Sequence, residues 1–212
     1  MSIFKKGSKD KAENYRPVSL TSVIGKLLES IIKEDIVEHL DTNRLLNDSQ
    51  HGFRSGRSCL TNLLDFFESA TSELDDVNCA DIIYLDFSKA FDKVPHGRLI
   101  KKLEAHGMGG KCLSWISAWL SNRRQRVHLT GVYSDWTEVL SGVPQGSVLG
   151  PVLFLVYIND IDNTLISKLG KFADDSKLLK GIRSQDDVIS IKQDLSNGLK
   201  TGKCNSIIKN VQ

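Results

Sequence analysis

"KLGKFADDSKLLKG", residues 168–181, is the stretch on which the fold reading turns. Two short runs of apolar and basic residues flank Ala-Asp-Asp, the pattern of two strands joined by a tight turn. Two adjacent aspartates on a hairpin can be plain turn formers, because an Asp side chain bonds to its own backbone there. A third carboxylate alters the weighing. "ADIIYLDF" (80–87) is rich in Ile, Tyr and Phe, which predicts a strand buried on both faces with Asp86 near its end. If the hairpin pairs with that strand, Asp86, Asp174 and Asp175 share one sheet. Like charges gathered there repel, so one must protonate or the group must hold a cation.

Outward from this sheet the chain reads as helices and shaped loops. After "NYRPVS" (14–19), apolar residues at Leu20, Ile24, Leu27, Leu28, Ile31, Ile32, Ile36 and Leu40 follow the helical period and predict an amphipathic helix. The polar loop "HGFRSGRSC" (51–59) leads into a second, with Leu60, Leu63, Leu64, Phe67, Ala70 and Leu74 on one face. "SKAFDKVPHGRL" (88–99) turns the chain, and "LSWISAWLSNRRQRV" (113–127) returns to a helix with Arg123, Arg124 and Arg126 at its end. "SGVPQGSVLGP" (141–151) carries three glycines and two prolines, so it is a shaped loop, and Pro151 can open the apolar helix that follows. Helices and strands mix without regular βα alternation, which gives the class α+β.

Composition limits the partners. With 212 residues, 40% hydrophobic and 25% charged, the chain can bury a real core. Its net charge of +2 hides an asymmetry, since residues 97–131 hold seven Lys or Arg against one acid, Glu104. A polyanion is the natural partner of such a patch, although a solvated basic face explains it as well. The four cysteines form no Cys-x-x-Cys pair and the histidines no His-x-x-x-His, which speaks against zinc or a disulfide framework. No signal peptide opens the chain and no apolar run approaches the roughly 20 residues that span a bilayer. These features point to a reduced, intracellular protein of the nucleus or cytoplasm, with no membrane association.

Six motifs in a fixed order then resemble one family: "IFKKG" (3–7), "NYRPVSLTS" (14–22), "QHGFRSGRSC" (50–59), "YLDFSKAFDKVPH" (84–96), "SGVPQGSVLGPVLFLVYINDI" (141–161) and "KFADDSKL" (171–178). The family is the reverse transcriptases of non-LTR retrotransposons, in particular LINE elements of the jockey and chicken-repeat-1 type. The likeness runs from about residue 3 to residue 187. It implies a right-hand polymerase, with fingers at 1–78 and 98–142 and a palm of antiparallel sheet and helices at 79–97 and 143–190. It also implies an RNA-directed DNA polymerase that adds dNTPs to a primer 3′ hydroxyl on an RNA template.

The resemblance assigns roles residue by residue. Asp86 would bind both of two Mg²⁺ ions, for which Mn²⁺ can substitute, with the Phe87 carbonyl as a further ligand. Asp174 would be the second main ligand and Asp175 would stand beside the primer terminus. Such hard oxygen donors suit Mg²⁺, which takes one or two carboxylates plus substrate phosphates. Two ions about 3.5–4 Å apart can activate a hydroxyl and stabilise a leaving pyrophosphate. Phe91 would sit under the incoming sugar and exclude a 2′ hydroxyl, the group that separates the two nucleotide classes. Gln145 and Gly146 would line the nucleotide pocket, where a glycine lets backbone approach closely. Lys5 and Arg16 would contact the triphosphate, and Arg123, Arg124 and Arg126 the template-primer backbone.

Past Asp187 the chain departs from the family pattern. "IKQDLSNGLKTGKCNSIIKNVQ" (191–212) holds no Trp and reads as a degenerate or truncated C-terminal segment, and the thumb that the family places after the palm is expected to be absent. Two functions of different class therefore stand side by side. One is a working reverse transcriptase core; the other is a catalytically silent retrotransposon remnant that at most binds nucleic acid.

Overall fold

A computed structural model describes residues 2–77, 79–87, 89–129, 131–202 and 207–208. In chain order its elements begin with β1 (Ser2–Phe4), β2 (Tyr15–Pro17), α1 (Val23–Thr42), α2 (Cys59–Val77) and β3 (Ala80–Asp86). Next come α3 (His96–Ala105), α4 (Gly110–Leu120) and four two-residue strands, β4 (Arg124–Gln125), β5 (His128–Leu129), β6 (Val132–Tyr133) and β7 (Thr137–Glu138). The chain continues with α5 (Gly150–Ile158), β8 (Lys168–Phe172), β9 (Asp175–Gly181), α6 (Gln185–Gly202) and β10 (Ile207–Ile208). The α+β class expected from the sequence is the class observed. Among the described residues no helix is long and apolar enough to cross a membrane.

Two compact units share the chain, one of residues 1–43 and 91–154, the other of residues 44–90 and 155–212. These cuts fall elsewhere than the fingers and palm limits expected above. The first unit holds α1, α3, α4, the small hairpins and the start of α5. Its core gathers Ile36 and Leu40 of α1, Leu99 and Leu103 of α3, and Ile116 and Leu120 of α4. Each pair lies four residues apart, the spacing that places side chains one above the other on a helix face. Ser22 caps α1 by accepting from the Gly25 N–H at 3.0 Å. Glu29, fully buried on α1, accepts from the N–H groups of Val148 at 2.7 Å and Leu149 at 3.4 Å, so one carboxylate holds the entry to α5.

The second unit is built on a four-stranded antiparallel sheet in the order β10-β3-β9-β8. β8 and β9 form the hairpin expected at residues 168–181, with Ala173 and Asp174 between them. β9 pairs along the whole of β3, from Ala80 opposite Gly181 to Asp86 opposite Asp175. β10 lies on the other side of β3, with Ile207 opposite Asp86. Leu178 and Leu179 of β9, Leu85 of β3 and Leu169 of β8 are buried here, together with Ile158, Ile161 and Ile191. On α6, the buried Asp194 carboxylate accepts from the N–H groups of Ile166 and Ser167 and fixes the entry to β8. Residues 191–202 are helical, with Ile191 and Asp194 buried; residues 203–206 and 209–212 lie outside those described.

Some sequence expectations about burial and local structure are corrected. β3 is not buried on both faces: Asp81, Tyr84 and Asp86 are exposed and only Leu85 is buried. The sequence predicts a turn where α3 forms, because Gly97 and Pro95 mask the Leu99/Leu103 pair that makes its buried face. Both amphipathic helices form, yet Leu20, before α1, and Ile24 and Leu27 within it remain exposed, as do Leu60, Leu64 and Phe67 of α2.

Candidate active site

The register of the sheet decides where the carboxylates go. Asp86 ends β3 and Asp175 begins β9, and the two face each other as direct antiparallel partners. Residues so paired have Cβ atoms roughly 4.5–5.5 Å apart, and like charges placed there are destabilising. Asp174 precedes Asp175 on the turn. Loss of water around its carboxyl, then the charges of Asp174 and Asp86, hold Asp175 above the ordinary carboxylate range. The three carboxylates expected from the sequence therefore meet at one end of the sheet and repel one another. Among the described residues no three acidic, His or Cys side chains are drawn into a preformed metal cage. The donor chemistry nevertheless suits a hard cation, since three carboxylates stand at one end of the sheet. The buried Phe87 follows Asp86 directly.

The turn that presents Asp174 has an unusual backbone. Ala173 adopts the left-handed conformation at φ 57°, which a non-glycine residue rarely takes. The segment 49–52 runs beside it, with His51 N–H donating to the Lys171 carbonyl at 2.9 Å and Lys171 N–H to the Ser49 carbonyl at 2.7 Å. Beneath the hairpin the Lys171 side chain is fully buried and its ammonium bonds to Asp162, which also accepts from the Ser49 hydroxyl. Asn62 of α2 donates to the Lys171 carbonyl at 3.2 Å.

The remaining site residues lie in the first unit. Phe91 opens a short 3₁₀ turn and stacks on Phe154 with ring centres 4.5 Å apart and planes at 18°. The loop 141–146 is laced to this turn: Val143 N–H donates to the Phe91 carbonyl, Gly142 N–H to that of Val94, and the Gln145 amide to the Asp92 carboxylate, each at 2.8 Å. Gly142 has φ 91°, and a Cβ there would stand 2.6 Å from the Asp92 carbonyl oxygen, so only glycine fits. Gly146, at φ 99°, lies against the backbone of Ser19, whose N–H donates to the Gln145 carbonyl at 2.7 Å. Phe91, Gln145 and Gly146 are thereby brought together, with the Gln145 side chain already engaged by Asp92.

Lys5 and Arg16 belong to one hairpin. Arg16 on β2 pairs with Ile3 of β1, and the Lys5 N–H donates to the Asn14 carbonyl at 2.8 Å. Both side chains are exposed. Arg123, Arg124 and Arg126 follow α4 on a ribbon in which β4 pairs with β7 and β5 with β6. Their guanidinium groups lie over aromatic rings: Arg123 on Trp119 at 5.9 Å, Arg124 on Trp136 at 5.8 Å, and Arg126 on Tyr133 at 4.1 Å and Trp136 at 4.6 Å. The sequence showed the arginines but not the stacking, which depends on how the ribbon folds back.

A polymerase-type α+β fold with paired aspartates at the end of an antiparallel sheet is the class that these features define. The profile of the family "Reverse transcriptase (RNA-dependent DNA polymerase)" matches residues 3–206, and the chain belongs to that family. The match extends beyond residue 187, past which the motifs of the family pattern fade. The chain is 33% identical over 160 residues to the probable RNA-directed DNA polymerase from transposon BS of Drosophila melanogaster, covering 75% of this chain and 18% of the relative. It is 31% identical over 188 residues to that of transposon X-element from the same organism, covering 86% and 21%. The chain therefore spans about a fifth of the length of these relatives. Among solved structures, telomerase from Candida tropicalis in complex with a TWJ fragment of telomeric RNA superposes with a TM-score of 0.63 at 11% identity. That pair covers 86% of this chain and 34% of the telomerase, and the likeness concerns the fold.

Proposed function

We propose that this chain carries the nucleotidyl-transfer core of a non-LTR retrotransposon reverse transcriptase, extending a DNA primer with dNTPs on an RNA template. The observation that carries the reading is the register of Asp86 opposite Asp175 with Asp174 on the adjoining turn. Fingers at 1–78 and 98–142 and a palm at 79–97 and 143–190 are part of the proposal.

Asp86, Asp174 and Asp175, with the Phe87 carbonyl, would hold two Mg²⁺ ions. Bound there, such ions supply an acidified primer hydroxyl and neutralise charge on the departing pyrophosphate. Asp86 and Asp174 fix where the reacting phosphoryl group is held, and mutual repulsion makes their site favourable only when positive charge is present. Lys5 and Arg16 would bind the triphosphate oxygens as cationic clamps. Phe91, buttressed by Phe154, would stand against the sugar, while Gln145 and Gly146 would line the base side. Arg123, Arg124 and Arg126 would hold the template-primer backbone without sequence preference, so binding should weaken steeply with salt.

The test is primer extension on an RNA template with Mg²⁺ and dNTPs, comparing the chain with Asp174→Asn. Extension by the first and none by the variant is the expected result. Salt-sensitive template binding without extension in either protein would instead support a remnant that has kept its fold and lost its chemistry.

A further inference from the structure

The turn that carries Asp174 does not hold its own conformation. Ala173 lies in the left-handed region, which is strained for a residue with a Cβ and persists only where the surroundings impose it. Among the described residues no side chain of the hairpin itself bonds to the Ala173 backbone. The constraint comes from outside, from Gln50, a buried residue at 2% exposure more than a hundred positions earlier.

The Gln50 amide reaches both backbone groups of Ala173. Its Oε1 accepts from the Ala173 N–H at 2.8 Å, and its Nε2 donates to the Ala173 carbonyl at 3.3 Å. The same Oε1 accepts from the Gly52 N–H at 2.8 Å, which locks the amide plane. Gln50 itself is fixed by a parallel bridge to Lys171, on the outer edge of β8, which ends the sheet among the described residues. Gly52 completes the fit, because a Cβ there would lie 2.2 Å from the Ala173 nitrogen. Only glutamine among the common side chains offers an acceptor and a donor at that reach; Asn is one methylene shorter and Glu, when ionised, has no donor.

We propose that Gln50 is the positioning residue of the catalytic turn, setting the backbone angles of Ala173 and thereby the direction in which Asp174 leaves the hairpin. The role rests on the reading of Asp174 as a metal-holding carboxylate, and it explains why "QHGF" stands in the sequence far from the aspartates. Gln50 touches no substrate in this role. Its effect is on the placement of a neighbour, and a misplacement of about 1 Å at such a site lowers rates on the order of a hundredfold.

The experiment compares the full chain with Gln50→Met, which keeps volume and removes every bond, and Gln50→Glu, which keeps both acceptor bonds. Amide hydrogen exchange at Gly52 and Ala173 is read by NMR. In Gln50→Met these two amides should exchange about tenfold faster, the loss of one ordinary hydrogen bond each, while amides along β3 and β9 keep their protection. In Gln50→Glu the two amides should stay protected. Unchanged exchange in Gln50→Met overturns the proposal, and so does faster exchange throughout the sheet, which would mark a merely structural residue. Primer extension is then read on the same proteins, with Gln50→Met expected to lose about a hundredfold in kcat and little in KM for dNTP. Failure of the wild type to extend would count against the polymerase reading alone, because the exchange result judges the clamp without it.

Discussion

Removing the Asp162 carboxylate should damage the sheet far more than removing the lysine it faces. Lys171 lies on β8 with its side chain 1% exposed, whereas Asp162 is 21% exposed. Burial pulls the Lys171 pKa below its ordinary 10.5, and the attraction of Asp162 opposes that without cancelling it. Asp162→Ala leaves a buried ammonium uncompensated, at a cost of about 3–5 kcal/mol. A typical domain has only about 5–15 kcal/mol of stability, so the loss would be plain. Lys171→Met retains an unbranched side chain of similar volume and leaves Asp162 its Ser49 hydroxyl and water, so about 1 kcal/mol is expected. The double variant should recover about 1–2 kcal/mol of the Asp162→Ala loss, a coupling of about 2–3 kcal/mol. Urea unfolding followed by far-UV circular dichroism reads these differences; tryptophan fluorescence would miss them, because all three Trp lie in the other unit. A pH series adds a sign. With the folded pKa depressed, the penalty is absent well above 10.5, grows as pH falls from 10.5 toward the folded value and is complete below it, so the Asp162→Ala deficit should shrink between pH 7 and about 10. Equal losses for the two single variants, or no recovery in the double, would refute the argument.

Three further outcomes are expected. Phe91→Ala should admit ribonucleotides in primer extension, shifting discrimination by roughly tenfold or more; an unchanged ratio would remove Phe91 from the sugar site. Glu29→Gln, which weakens the charge-assisted bonds to the Val148 and Leu149 N–H groups, should cost about 1–3 kcal/mol in a melt followed by Trp fluorescence. His51 has its pKa lowered, first by burial and then by Arg57, while its Nδ1 bonds to Thr61 at 2.9 Å. Its contribution to stability is complete above pH 6.5 and declines as pH falls below that toward the folded value, so His51→Gln should flatten this part of the stability profile.

The aspartates, the hairpin and the strand that pairs with it were legible because period-2 patterning and turn chemistry are local. So was the existence of α1 and α2. What those helices bury was not legible: their apolar stripes predicted core, yet periodicity gives the face of a helix and not its neighbour. Gln50, Glu29 and Asp194 escaped the sequence reading for a related reason. Each is a polar residue that bonds backbone groups more than twenty positions away, and in sequence such a residue looks like any surface glutamine or acid. α3 is the exception, since Leu99 and Leu103 had the right spacing and were overlooked beside Pro95 and Gly97.

The outer row of α1 also governs how the protein behaves in a tube. Val23 and Ile24 are more than 80% exposed, with Leu27 and Ile31 continuing the row. Contiguous apolar surface of this kind drives association between molecules. The 28 basic and 26 acidic residues nearly cancel, so little long-range repulsion keeps copies apart. Sulfate salts should precipitate the chain readily by strengthening apolar burial, and polar replacements along that row should raise its solubility limit while leaving the turn at Asp174 untouched.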